Sequence, residues 1–263
     1  MKNFVKAFFE YFDFTVQRKS LLERSEDPIQ VCELIHEGID VKTIIDGGAS
    51  IGTLTQKISN SFPNAYIHAF EPFQDHFNEL QKVACKNNYI IPVDKALSDQ
   101  IGTRTFFLNQ EGGTNSLLQS TSEGQAIYGK QLKEKGRTEV ECVSLDYYLR
   151  QHEIESVDLL KLDLQGGEVD ALRGATRSLH DGKIKCIICE VMFERHYNGQ
   201  PTAGKLLFEL IENFGFILLN FYQSNHHRGK LIYSDALLIH PSRLAQIEKR
   251  TERSFHAYSK LPL

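Results

Sequence analysis

The chain has 263 residues, 41% of them hydrophobic and 24% charged, with a formal net charge of -4. That length accommodates one large domain with additions and a substantial core, and the proportions exclude wholesale disorder. The charge is mild and the lysines and arginines are scattered, so the sequence carries no footprint for a nucleic-acid partner held through its phosphates.

In chain order, the first segment, MKNFVKAFFEYFDFTVQRKS, is aromatic, but Glu10 and Asp13 interrupt it before an apolar run reaches signal-peptide or membrane-span length. Neither an export signal nor a span is therefore expected there. Phe4, Phe8, Phe9 and Phe12 are candidates for burial against the domain or for a homo-oligomer contact. The following SEDPIQVCELIHEG offers acidic caps, a proline near the first turn and a closing glycine, which predicts a helix before residue 40. Residues 1–40 are read as an N-terminal helical extension, 41–245 as the main domain and 246–263 as a tail.

Within 41–245 short β-rich runs alternate with amphipathic helical stretches. The runs are VKTIID, AYIHAFE, NYIIPVD, VDLLKLD, KCIICEV, GFILLNF and SDALLIHP; the helical stretches include TLTQKISNSF, DHFNELQKVACKN, GEVDALRGATRSL and AGKLLFELIENF. This alternation predicts a mostly parallel sheet with helices on both faces. Between 101 and 146 the pattern changes to GTRTFFLNQ, a polar loop and TEVECVSLDYYL, which predicts an inserted β-ribbon and a functional loop.

Five cysteines thinly spread over a chain of this length read as reduced thiols in a cytoplasmic protein. Cys186 and Cys189 have a C-x-x-C spacing, but on a strand they point to opposite faces, which argues against a shared metal or disulfide. The adjacent His226 and His227 look metal-like, yet neighbouring histidines seldom ligate one ion unaided.

The stretch IIDGGASIG is the first strand-to-helix turn of the sheet, where an open α/β fold binds its ligand. Gly47, Gly48, Ala49, Ser50 and Gly52 let a ligand approach the main chain. Asp46 at the strand end would repel a diphosphate and attract the ammonium of a methionine moiety. At the next strand end Glu71, with Pro72 beside it, can accept from both hydroxyls of a ribose. Asp94 and Ala96 after the third strand would line an adenine pocket. An NAD-dependent oxidoreductase remains the alternative, because Gly47, Ala49 and Gly52 approach the G-x-G-x-x-G spacing.

The ordered blocks IIDGGASIG, HAFEPF, DKALSD, GGTNSLL, VSLDYYL, LLKLDLQGGEVDALRGA and CEV, over roughly residues 40 to 241, resemble the FkbM-type S-adenosylmethionine-dependent methyltransferases. The resemblance implies a class I, Rossmann-like methyltransferase fold of seven strands with the last antiparallel. It also implies methylation of a hydroxyl on a sugar, glycan or natural product, with S-adenosyl-L-methionine as the cofactor and a small-molecule or glycan acceptor as the partner. The chain departs from the family at Lys161-Leu162-Asp163-Leu164-Gln165-Gly166, where Gln165 replaces the usual glutamate and cannot act as a base. A fold-retaining interaction module without catalysis is the second alternative that this departure raises.

Transfer of a methyl group to an alcohol needs a general base or an acidifying metal. Asp163 and Glu190, at neighbouring strand ends, and His196, in the loop MFERHYNGQP, are the candidates for catalysis. Ser116 in GGTNSLL is a candidate contact to cofactor or acceptor. Mg²⁺ is compatible with an oxygen-rich site but not favoured, and no metal ligand is assigned.

Overall fold

The computed structural model describes residues 26–247. Phe4, Phe8, Phe9 and Phe12 and most of the expected tail lie outside them. Helix α1 (Pro28–Ile35) opens as its sequence dictates, with Asp27 accepting from the Ile29 N–H at 3.0 Å and Pro28 in the first turn. Its apolar face, Ile29, Val31, Cys32 and Ile35, is buried against one face of the main sheet.

That sheet has seven strands. In chain order they are β1 (Thr43–Gly47), β2 (Tyr66–Phe70), β3 (Ile90–Val93), β7 (Leu159–Leu162), β8 (Cys186–Met192), β9 (Ile217–His227) and β10 (Lys230–Ile239). They lie in the order β3-β2-β1-β7-β8-β10-β9, with β1 parallel to β2 and β7, and β10 antiparallel to both β8 and β9. The expected seven-stranded sheet with its last strand antiparallel is present. Helices α2 (Thr53–Ser61), α3 (Gln74–Ala84), α6 (Glu168–Arg173), α7 (Thr176–His180) and α8 (Ala203–Phe208) fill the gaps between strands.

Period-two alternation sends neighbours to opposite faces, so Ile44 and Ile45, Leu159 and Leu160, and Cys186 and Cys189 divide between two separate cores. Cys186 Sγ lies 3.7 Å from Cys32 Sγ, whereas Cys189 belongs to the opposite core. All five cysteines are free thiols.

The stretch expected as one helix over 167–179 forms two. The break falls at Gly174, whose carbonyl accepts from the Asp146 N–H at 2.8 Å. The Asp146 carboxylate then caps α7, accepting from the N–H groups of Arg177 and Ser178 at 2.8 and 2.9 Å. A cap delivered from 31 residues upstream of Arg177 leaves no local trace in the helical pattern.

The insertion forms a second sheet, in which β4 (Ala96–Leu97), β6 (Glu134–Val143) and β5 (Gly102–Asn109) lie in that order, β5 and β6 antiparallel. Between β5 and β6 the loop carries a short helix, α4 (Ser122–Tyr128), capped by the Thr121 hydroxyl accepting from Gly124 N–H at 2.9 Å. α5 (Leu145–Gln151) then leads back to β7. The ribbon and its loop fold over the carboxyl ends of β1, β2 and β7, and that placement creates the site.

Candidate active site

A cavity opens at those strand ends, between the glycine turn, the ends of β2 and β7 and the inserted loop. Glu71, one residue past β2, forms its centre. It is 5% exposed, and its two oxygens accept from the N–H groups of Ser50 and Phe73, each at 2.9 Å. Each oxygen keeps acceptor capacity beyond the amide that it binds. Pro72 stands beside it, and Ala96, Leu97 and Phe106 supply an apolar wall.

Asn115 Nδ2 is buried at the same cavity without a hydrogen-bond partner, while its Oδ1 accepts from Asn109 N–H at 2.8 Å. An orphaned donor in a cavity wall is costly unless a ligand acceptor meets it. These residues therefore fit a nucleoside: a fixed acceptor pair for the sugar, a spare donor and a flat apolar side. Gly48 completes the floor. Its φ is +79°, and a Cβ there would lie 2.0 Å from the Asp163 carbonyl oxygen.

Several expected contacts are corrected by the structure. Asp46 does not reach the cavity: it is fully buried, Thr55 Oγ1 donates to its Oδ2 at 2.6 Å, and Lys161 Nζ lies 3.3 Å from its Oδ1. Its charge is already neutralised inside the protein, so it is not free to attract an ammonium group. Gly47, Ala49 and Gly52 likewise shape the turn from beneath, whereas Gly48 and Ser50 face the cavity. Asp94 is exposed and lies outside the cavity walls, to which Lys95, Ala96 and Leu97 contribute instead.

Ser116 also faces away, its hydroxyl donating to the Gln165 carbonyl at 2.8 Å and accepting from Leu118 N–H at 3.0 Å. The chain is extended there, so Asn115 and Leu117 turn inward and Ser116 outward. His196 is 1% exposed, packs edge-on against Tyr128 at 4.8 Å and does not line the cavity. Burial lowers it to about 4, which keeps the imidazole neutral, and its Nε2 has no partner. His226 and His227 follow each other on β9 and so point to opposite faces.

Asp163 does line the cavity, one residue past β7. Its Oδ2 lies 3.7 Å from Lys161 Nζ, and its Oδ1 accepts from Gln165 Nε2 at 2.7 Å. Glu190 comes alongside because β7 and β8 are parallel, with Leu162 opposite Cys189. It is 8% exposed, borders a smaller neighbouring recess rather than the main cavity, and accepts from Gln165 Nε2 at 3.1 Å. Burial pushes Glu190 well above the ordinary carboxylate range, with Asp163, Glu168 and Asp235 adding to the effect.

Besides Asn115, sequence reasoning missed Lys161 and Glu168. Lys161, 4% exposed, joins Asp46 and Asp163 and donates to the Gly48 carbonyl at 3.1 Å, so one cation organises both strand ends and the glycine turn. Burial alone would favour its neutral form, but the two aspartates outweigh that and hold it charged. Glu168 fixes the turn after β7, its Oε1 accepting from the N–H groups of Leu164 and Gly166 at 2.7 and 3.3 Å.

A mostly parallel sheet with a crevice at its carboxyl ends, and a carboxylate held in the wall of that crevice, is the arrangement of a nucleotide-binding α/β fold. A family model described as the Methyltransferase FkbM domain matches residues 46–218, more than half of the chain. The chain belongs to the FkbM methyltransferase family. It is 27% identical to "Methyltransferase sdnD" of Sordaria araneosa over 198 residues, 66% of this chain and 73% of that one. It is also 27% identical to "2-O-methyltransferase NoeI" of Sinorhizobium fredii over 192 residues, covering 65% and 74% of the two chains. The protein is thus an S-adenosylmethionine-dependent methyltransferase.

Burial raises Glu71 to about 7, above its ordinary value, with the Phe73 and Ser50 amides opposing that rise. Below that pH the carboxyl is protonated and loses an acceptor. Affinity for S-adenosylhomocysteine is therefore expected to fall as the pH drops from 8 to 6, by about tenfold if only the ionised form binds. Calorimetric titrations across that range check this, and Glu71→Gln should flatten the curve.

Proposed function

We propose that this methyltransferase acts on oxygen, methylating a hydroxyl of a sugar, glycan or natural product. The observation that carries the reading is Asp163, a carboxylate in the cavity wall anchored by Lys161 and oriented by Gln165. The 2-O-methyltransferase among the relatives supports the same chemistry. In this reading Glu71, Pro72, Gly48, Ser50, Ala96 and Asn115 hold the cofactor. When bound, S-adenosylmethionine supplies an electrophilic methyl group on a sulfonium whose sulfur takes back the S–C bonding pair on transfer.

Asp163 accepts the proton of the acceptor hydroxyl, and the oxygen's electron pair is then free to form the new C–O bond. Lys161 sets its ammonium group 3.7 Å from Asp163 Oδ2, beside the carboxylate that takes the proton. Glu190, raised by burial and hydrogen-bonded to Gln165, serves as a structural partner rather than as the base. The apolar wall and the inserted loop exclude water from the reacting pair. Free thiols at all five cysteines favour a reducing, cytoplasmic setting. Among the described residues no helix is long and apolar enough to cross a membrane.

The test is Asp163→Asn, assayed with radiolabelled S-adenosylmethionine against a panel of sugars and hydroxylated natural products. Turnover should fall by about 10²-fold or more, while S-adenosylhomocysteine affinity changes little. Unchanged turnover would remove Asp163 as the base, and a panel in which only amines or thiols are methylated would remove oxygen as the acceptor.

A further inference from the structure

Gln165 occupies an unusual position both in conformation and in contacts. Its φ is +53°, in the left-handed region, so the side chain is delivered by a strained turn into the space between two acids. One amide nitrogen donates to Asp163 Oδ1 at 2.7 Å and to Glu190 Oε2 at 3.1 Å. The amide oxygen faces the other way and accepts from Tyr197 Oη at 2.8 Å. The orientation is assigned from the two carboxylates, which offer acceptors to the amide nitrogen.

The surroundings are acidic. Glu168 reaches the pair from α6, and Asp235 stands opposite Glu190 on β10. Tyr128, Tyr197 and Tyr233, on α4, the loop after β8 and β10, lie within electrostatic reach of Glu190. Against them, among the described residues, Lys161 sets its positive charge. Two carboxylates this close, without a donor between them, would share a proton and neither would be a free base. A glutamine supplies two N–H donors and no charge.

We propose that Gln165 is a positioning residue for the transfer: its amide takes the place of a proton shared by Asp163 and Glu190, leaving Asp163 ionised beside the acceptor. Tyr197 holds the amide in the donating orientation. Its hydroxyl also lies 3.0 Å from the Thr114 carbonyl, so the inserted loop over the cofactor cavity is tied to the same group. The inference rests on Asp163 as the base.

Carboxyl-carbon NMR of the ligand-free protein tests it without any acceptor. In Gln165→Met the amide donor is lost while the side-chain length is kept and no charge is added, and the titration of Asp163 and Glu190 should move upward by about one pH unit or more. Tyr197→Phe frees the amide to turn and should move the titration in the same direction by less. A residue that merely packed there would lower the melting temperature and leave the titration in place. Superimposable curves for Gln165→Met and wild type overturn the proposal; if that variant does not fold, an unmoved curve for Tyr197→Phe overturns it instead. Wild-type protein that takes up no S-adenosylhomocysteine would strike the cofactor reading alone, because these titrations contain no cofactor.

Discussion

Replacing Lys161 by methionine is expected to destabilise the protein by about 3–5 kcal/mol, since it strands Asp46 as a fully buried, uncompensated charge. The aliphatic stem is retained, so packing changes little and the loss is electrostatic. For a domain of this size the melting temperature should fall by roughly 10 °C. Adding Asp46→Asn removes the stranded charge, and the double variant should recover at least half of the loss, a non-additivity that urea melts resolve. Equal losses in the single and double variants would mean that Lys161 and Asp46 do not depend on one another. Any folded Lys161→Met protein should also turn over poorly, because Asp163 and the Gly48 carbonyl lose the same ammonium group.

Gly48→Ala is expected to damage the site more severely still. The added methyl would enter at 2.0 Å from the Asp163 carbonyl oxygen, which is backbone and cannot rotate away. The positive φ adds its own cost, so about 2 kcal/mol or more of stability should go, along with most cofactor affinity. The turn and the end of β7 must separate, and both line the crevice. Gly204→Ala is the matched control: its Cβ would meet nothing within 4 Å in α8, where alanine is the better helix former. Gly204→Ala should bind S-adenosylhomocysteine like wild type and melt no lower.

Much of this architecture was legible in the residues. Runs such as IIDGG and KCIICEV, bounded by turn residues, locate the parallel strands, because strands buried on both faces must be apolar throughout. Glu71 was legible for a related reason, since an acid that ends such a strand projects into the crevice. The positions that eluded a linear reading are those decided by a single step of register or by a distant partner. Asn115 rather than Ser116 faces the cavity because the extended loop turns one of the two inward. Asp46 was read as a free charge because its neutralising partner, Lys161, lies 115 positions along in LLKLD, where a lysine reads as an outward-facing strand residue.

Gln165 reads as a loss when set beside the glutamate usual in its family, and only the joint placement of Asp163, Glu190 and Tyr197 gives the amide a role. His196 looked available in a polar loop, yet the loop folds onto α4 and buries it against Tyr128. That contact joins segments 68 residues apart, and α4 itself lies inside a stretch whose composition reads as loop.

Calorimetric titration of S-adenosylhomocysteine into wild-type protein and Glu71→Ala tests the crevice most directly. One molecule should bind per wild-type chain, and the variant should bind far more weakly while melting as a folded protein. A wild-type chain that gives no binding heat while folded, or a Glu71→Ala chain that binds as tightly as wild type, would contradict the account.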